Sequence, residues 1–136
     1  MALDAADAID VLASHGRRYR SKITVTAEPV TVDSIWASTT GDQLRARAGD
    51  WWVSDGADRW SVDGEIFAHT YVRIGGDRYR KAAAVTAAVI SEPFTVPTLE
   101  GVVSGSPGDY LVGNPGGDVW VIPAAVFTAR YEQEQQ

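Results

Sequence analysis

Two aspartates in matching contexts come nearest to acid–base chemistry. Asp50 stands in Gly49-Asp50-Trp51-Trp52-Val53 and Asp109 in Gly108-Asp109-Tyr110-Leu111-Val112. Carboxylates brought to a shared axis repel, which raises one pKa and produces an acid/base pair. Turn chemistry is the simpler expectation, since an aspartate after glycine bonds nearby backbone amides. His15 and His69 are the only histidines, and His69 is the third weak candidate for catalysis. No ligand spacing supports a metal site, and the absence of cysteine excludes disulfides, thiolate zinc sites and a cysteine nucleophile. Gly113-Asn114-Pro115-Gly116-Gly117 lacks the Lys-Ser/Thr of a phosphate loop and reads as a hairpin turn. No cofactor is called for.

A duplicated cationic-aromatic signal is better suited to binding. Arg17, Arg18, Tyr19, Arg20 and Lys22 have a counterpart in Arg78, Tyr79, Arg80 and Lys81. Arginines at two such strand starts could converge on an anion, with an aromatic ring stacking on a base-like group. The plainer expectation packs the tyrosines inward and leaves the arginines in water. Trp36, Trp51 and Trp52 occur in the first half only. Adjacent residues of a strand point to opposite faces, so Trp51 and Trp52 cannot both enter one core. The expected ligand-binding set is therefore Arg18, Arg20, Arg78, Arg80, Trp36, Trp51 and Trp52, bordering a groove between two repeats.

The elements that position these residues form a tandem duplication. Arg18-Tyr19-Arg20 and Val25-Thr26-Ala27 return sixty residues on as Arg78-Tyr79-Arg80 and Val85-Thr86-Ala87. Gly49, Asp50 and Val53 match Gly108, Asp109 and Val112 after the loss of one residue. Gly56, Asp58, Trp60, Phe67 and Tyr71 then match Gly116, Asp118, Trp120, Phe127 and Tyr131. Within copy one, Ile23, Val25 and Ala27 alternate with threonines, and Leu44, Ala46 and Ala48 with arginines, the period of half-buried strands. Asp63 is placed to cap a short helix whose partner starts at Pro123. The paired Phe67, Tyr71, Phe127 and Tyr131 read as core anchors. Between Pro93 and Pro107, copy two reads as an edge strand or loop.

The expected fold is mainly β: two tandem SH3-like small β-barrel units in pseudo-twofold arrangement, with an N-terminal helix. The boundaries are 1–17 for the helix, 18–77 for repeat 1 and 78–136 for repeat 2 with a frayed polar tail from Glu132. In the helix, Asp4 is the expected cap, Gly16 the stop, and Ala5, Ile9, Leu12 and Ala13 the packing face.

The formal net charge of −6, shared equally by the halves, argues against broad nucleic-acid binding. No apolar run approaches membrane-spanning length and no secretory pattern opens the chain, so a cytoplasmic protein that makes no use of a membrane is expected. Homo-oligomerisation is left open.

Pro107-Gly108-Asp109-Tyr110-Leu111-Val112, followed by Trp120, Phe127, Tyr131 and Glu132, resembles the small bacterial and phage-associated domain named for its PGDYG motif. It also resembles short phage proteins with a GDW or GDY turn, a later phenylalanine and a terminal tyrosine-glutamate. Copy one has Ala48, Trp51 and Val72 where the motif has proline, tyrosine and glutamate, and copy two has Leu111 for the last glycine. The resemblance carries no functional residue over. The leading expectation is a non-catalytic module that binds a small anionic, nucleotide-like ligand or a protein partner. The rivals are a small enzyme with acid/base catalysis in an inter-repeat cleft and a phage or defence protein that sequesters such a ligand.

Overall fold

The structure, a computed structural model, describes residues 1–38 and 41–134. Among the described residues it is mainly β, with three helices. The chain begins with α1 (Ala5–His15) and β1 (Arg17–Ser21). There follow β2 (Val25–Pro29), β3 (Ser34–Ala37), β4 (Gln43–Ala46), β5 (Trp51–Ser54), β6 (Arg59–Val62), α2 (Gly64–Thr70), β7 (Tyr71–Gly75) and β8 (Arg78–Lys81). The same series then repeats as β9 (Val85–Val89), β10 (Phe94–Thr98), β11 (Gly101–Gly105), β12 (Tyr110–Gly113), β13 (Val119–Ile122), α3 (Ala124–Arg130) and β14 (Tyr131–Gln133).

These elements form two compact units, one of residues 1–22 with 84–136 and the other of residues 23–83, called unit 1 and unit 2. Each contains a five-stranded antiparallel sheet and a two-stranded hairpin. The sheet order is β6-β5-β2-β8-β7 in unit 2 and β13-β12-β9-β1-β14 in unit 1, so β1 occupies the place that β8 holds in the other sheet. The structural unit therefore starts one strand later than the sequence repeat. A tight turn, with Gly76 at φ 57°, lets β8 fold back onto β7. Beside β14 the equivalent position is filled by β1, which pairs with both β14 and β9.

The sheets bury twin cores. Val25, Ala27, Val53 and Phe67 pack with Trp51, Trp60, Tyr71 and Tyr79 in unit 2. Val85, Ala87, Val112 and Phe127 pack with Tyr110, Trp120, Tyr131 and Tyr19 in unit 1. Phe67 and Phe127 are buried, whereas Tyr71 and Tyr131 are only partly so. Burial pushes the Tyr131 phenol up to about 12, and burial also raises that of Tyr19, beside Tyr110. The neutral phenols are thus favoured in the fold, so stability is fully present below the unfolded pKa near 10 and declines as pH rises towards 12. We expect denaturant titrations to show unit 1 losing on the order of 2 kcal/mol across this window, and Tyr131→Phe removing most of the loss.

Unit 1 also has a third core: Leu3, Ala8, Ile90, Phe94, Val96, Leu111 and Val119, with Val11, Leu12 and Val121 packed against it. It lies on the other face of the sheet, under α1. Asp4 and Asp7 close a capping box at the helix start. The helix face differs from the sequence expectation: Ile9 is exposed, as are Ala5 and Ala13, while Ala8 is fully buried and Val11 and Leu12 half-buried. A small residue at the contact lets the helix approach closely, and a Cβ on Gly113 would lie 2.7 Å from Leu12 Cδ1.

The stretch between Pro93 and Pro107 is edge strand, as expected: β10 and β11 form a two-stranded hairpin, and Phe94 and Val96 enter the third core. Two further expectations need correction. Pro123 is the N-cap of α3 rather than its first residue, and offers no side-chain cap bond. Glu132 and Gln133 are strand, not frayed tail, because β1 pairs them with Arg20 and Tyr19. Gln135 and Gln136 of that tail lie outside the described residues.

Candidate functional site

The paired aspartates hold turns. Asp50 Oδ2 accepts from the Arg47 amide at 2.9 Å, and Asp109 Oδ2 accepts from the Ser106 amide at the same distance. Both turns need a preceding glycine, Gly49 at φ 98° and Gly108 at φ 92°, in the left-handed region that side chains disfavour. Asp50 lies in unit 2 and Asp109 in unit 1. The exposed His69 is tied by Nδ1 to the Glu65 carbonyl at 2.8 Å, and the exposed His15 ends α1. Among the described residues no cluster of three or more histidine, aspartate or glutamate side chains could hold a metal.

The binding candidates divide by strand alternation. Trp51 enters the core and stacks on Phe67 at 4.4 Å, which leaves Trp52 on the other face. There Trp36 meets Trp52 edge-on at 6.4 Å, while its Nε1–H donates to the buried Ser61 hydroxyl at 2.9 Å. The Arg59 guanidinium lies 3.9 Å above the Trp52 ring. Cross-strand pairing puts Arg78, Thr26, Ser54 and Arg59 in one row and Glu28, Trp52 and Ser61 in the next. Arg80, two residues from Arg78, shares that face. Tyr79 goes to the core against Trp51 and Phe67.

The counterparts in unit 1 differ in kind. Glu28, Trp52, Ser54, Arg59 and Ser61 correspond to Ala88, Leu111, Gly113, Val119 and Val121, the floor on which α1 and β10 pack. Leu111 is fully buried and Ala88 nearly so, whereas Glu28 is exposed and Trp52 half-exposed. Arg18 Nε pairs with Glu134 at 3.5 Å, but the twin of Glu134 is Ile74, and among the described residues Arg78 has no carboxylate partner. Unit 2 thus presents Arg59 over Trp52, with Arg78 in the adjoining row and Arg80 further along β8 on the same face, and Glu28 as the sole acid among the face residues named. Arg20 is exposed on β1 of unit 1.

No family model, curated protein or solved structure matches the chain. The site must be judged on its own chemistry. Of its residues, sequence reasoning missed Arg59 and Ser61, and its signal was available: each is a polar member of a repeat pair whose other member is valine. Among the described residues no helix is long and apolar enough to cross a membrane.

Proposed function

We propose that the chain is a non-catalytic binding module of bacterial or phage type, acting in the cytoplasm, with SH3-like small barrels as its two units. The ligand is a ring-bearing anion of the nucleotide class, held on the open face of unit 2. One observation carries this reading: a sheet face that unit 1 seals with α1 over Ala88, Leu111 and Gly113 has no covering helix in unit 2 among the described residues, and presents Trp52, Arg59 and Ser54 there beside the β3–β4 hairpin. Apolar residues would cover that face more stably. Retaining cations around an aromatic ring suits an anion with a stacking surface. Arg59 has no carboxylate partner among the described residues, so its donors are available to such a ligand. Glu28 would disfavour a second negative group near the β2 end, which points to a single phosphate rather than a chain of them.

Each charge-assisted contact contributes about 1.5–3 kcal/mol. Calorimetry and tryptophan fluorescence against nucleoside monophosphates and inorganic phosphate are expected to show binding that weakens with salt. Arg59→Ala and Trp52→Ala should each lower affinity by about tenfold or more, while Arg18→Ala in unit 1 leaves it unchanged. Binding that survives Arg59→Ala, or failure of the whole panel, would defeat the proposal.

A further inference from the structure

The two hairpins differ at their outer edges as well. In unit 1 the edge of β10 is closed. The Thr95 amide donates to the Met1 carbonyl at 3.0 Å, and the Thr95 carbonyl accepts from the Leu3 amide at 2.9 Å, so residues 1–3 form a short parallel bridge. The next outward-facing residue is Pro97, which has no N–H to offer.

The equivalents on β3 are Ile35 and Ala37. The Ser38 amide bonds to the Asp42 carbonyl at 2.9 Å, which sets the ladder phase: Ser34 and Trp36 bond inward to β4, and Ile35 and Ala37 point their backbone groups outward. Among the described residues, nothing in unit 2 takes those outward groups. Ile35 and nearby Val32 are each 69% exposed. Unpaired edges are templates for another strand, and proteins commonly blunt them with proline or a covering segment. Unit 1 has both devices, and unit 2 has neither among the described residues.

We propose that the β3 edge of unit 2 is a β-augmentation site for an extended segment of another protein, one that alternates apolar and acidic residues. Its internal template is Met1–Leu3, followed by Asp4. There the residue beside the edge strand is small and exposed, and the next, Leu3, turns into the core that contains Val96. An apolar side chain at the second position would meet Trp36, the twin of Val96. Its neighbours would share the outer face with Ile35 and with Arg45, directly across the hairpin, and Arg47 follows on the same strand's path. Both arginines are exposed and outnumber Asp33, the acid near Arg47 whose Oδ1 accepts from the Ala48 amide at 2.8 Å, and this local excess of positive charge in a net negative chain selects acidic residues. A helix like α1 is not the expected occupant, because Ser54 and Trp52 stand where Gly113 and Leu111 admit one.

The probe is a capped hexapeptide of alternating glutamate and leucine, with a lysine–leucine control, titrated into the full chain and read by amide hydrogen exchange. The glutamate peptide should slow exchange at Ile35 and Ala37 by about tenfold or more, and the control should not. Ala37→Pro should abolish the effect, and Pro97 in the twin shows that this backbone position accepts proline. The Arg45→Glu, Arg47→Glu double variant, which leaves the edge intact, should transfer the preference to the lysine peptide. Arg59→Ala, which is expected to weaken anion binding, should leave the protection in place, so this inference and the anion site fail separately. Binding without protection of Ile35 and Ala37, or no binding by either peptide, would overturn the proposal. Protection that grows with protein concentration in the absence of peptide would overturn it in favour of a second copy as occupant.

Discussion

Phe127→Ala is expected to destabilise unit 1 by about 3–5 kcal/mol, a large part of what a small domain has. The ring is 2% exposed and touches aromatic neighbours on several sides: stacked on Tyr110 at 4.0 Å and Tyr131 at 5.0 Å, and edge-on to Tyr19 at 4.9 Å. Removing it leaves a cavity that rigid rings cannot collapse to fill, so the loss should lie at the upper end of the range. Hydrogen exchange resolves the effect by unit. Amides of β9 and β12 should lose protection by several orders of magnitude, while those of β2 and β5 keep theirs. A loss below about 1 kcal/mol would place the ring outside the core and overturn the register that pairs Phe127 with Phe67.

The duplication was legible because the shared core repeats by type: Val25 with Val85, Ala27 with Ala87, Val53 with Val112, Trp60 with Trp120 and Phe67 with Phe127. Covalent order, by contrast, does not say which sheet an opening strand joins. Arg18-Tyr19-Arg20 looks like the start of copy one, yet Tyr19 packs on Phe127. The α1 face was misread for a related reason. Amphipathic patterning rewards large residues such as Ile9, while close packing on a sheet can favour Ala8, with room made by Gly113 at a distant position.

At the candidate site, alternation correctly separates Trp51 from Trp52, but does not say which of the two Trp36 joins; the structure puts it edge-on to Trp52. Arg59 was passed over because it occupies an ordinary strand position. Its meaning appears only when non-identical repeat pairs are compared. Glu28 with Ala88, Trp52 with Leu111, Arg59 with Val119 and Ser61 with Val121 all lie on one face, and each exchanges an apolar residue for a polar or amphipathic one. Identities mark the fold; the differences mark the proposed site.

Deleting residues 1–22 should unfold unit 1 and leave unit 2 intact. The deletion removes α1, which covers the third core, and β1, an interior strand paired on one side with β9 and on the other with β14. Without β1, Tyr19 no longer shields Phe127, and β14 loses its only strand partner among the described residues. The remaining three strands and bare apolar face of unit 1 cannot offset the entropy of ordering the rest of the unit. Unit 2 is different, since all of its strands lie within residues 23–83. Four of the five tryptophans, Trp36, Trp51, Trp52 and Trp60, are in unit 2, so fluorescence mainly reports its state, while exchange at β9, β12 and β13 reports unit 1. The truncated chain should retain a cooperative fluorescence transition and lose protection in those three strands. A synthetic peptide of residues 1–22 added in trans should restore that protection, whereas the same peptide with Tyr19→Asp should not, because it would bury a charge against Phe127. Persistence of protected β9 and β12 amides without β1 would show that unit 1 closes by some other pairing, and the swapped role of β1 and β8 would have to be abandoned.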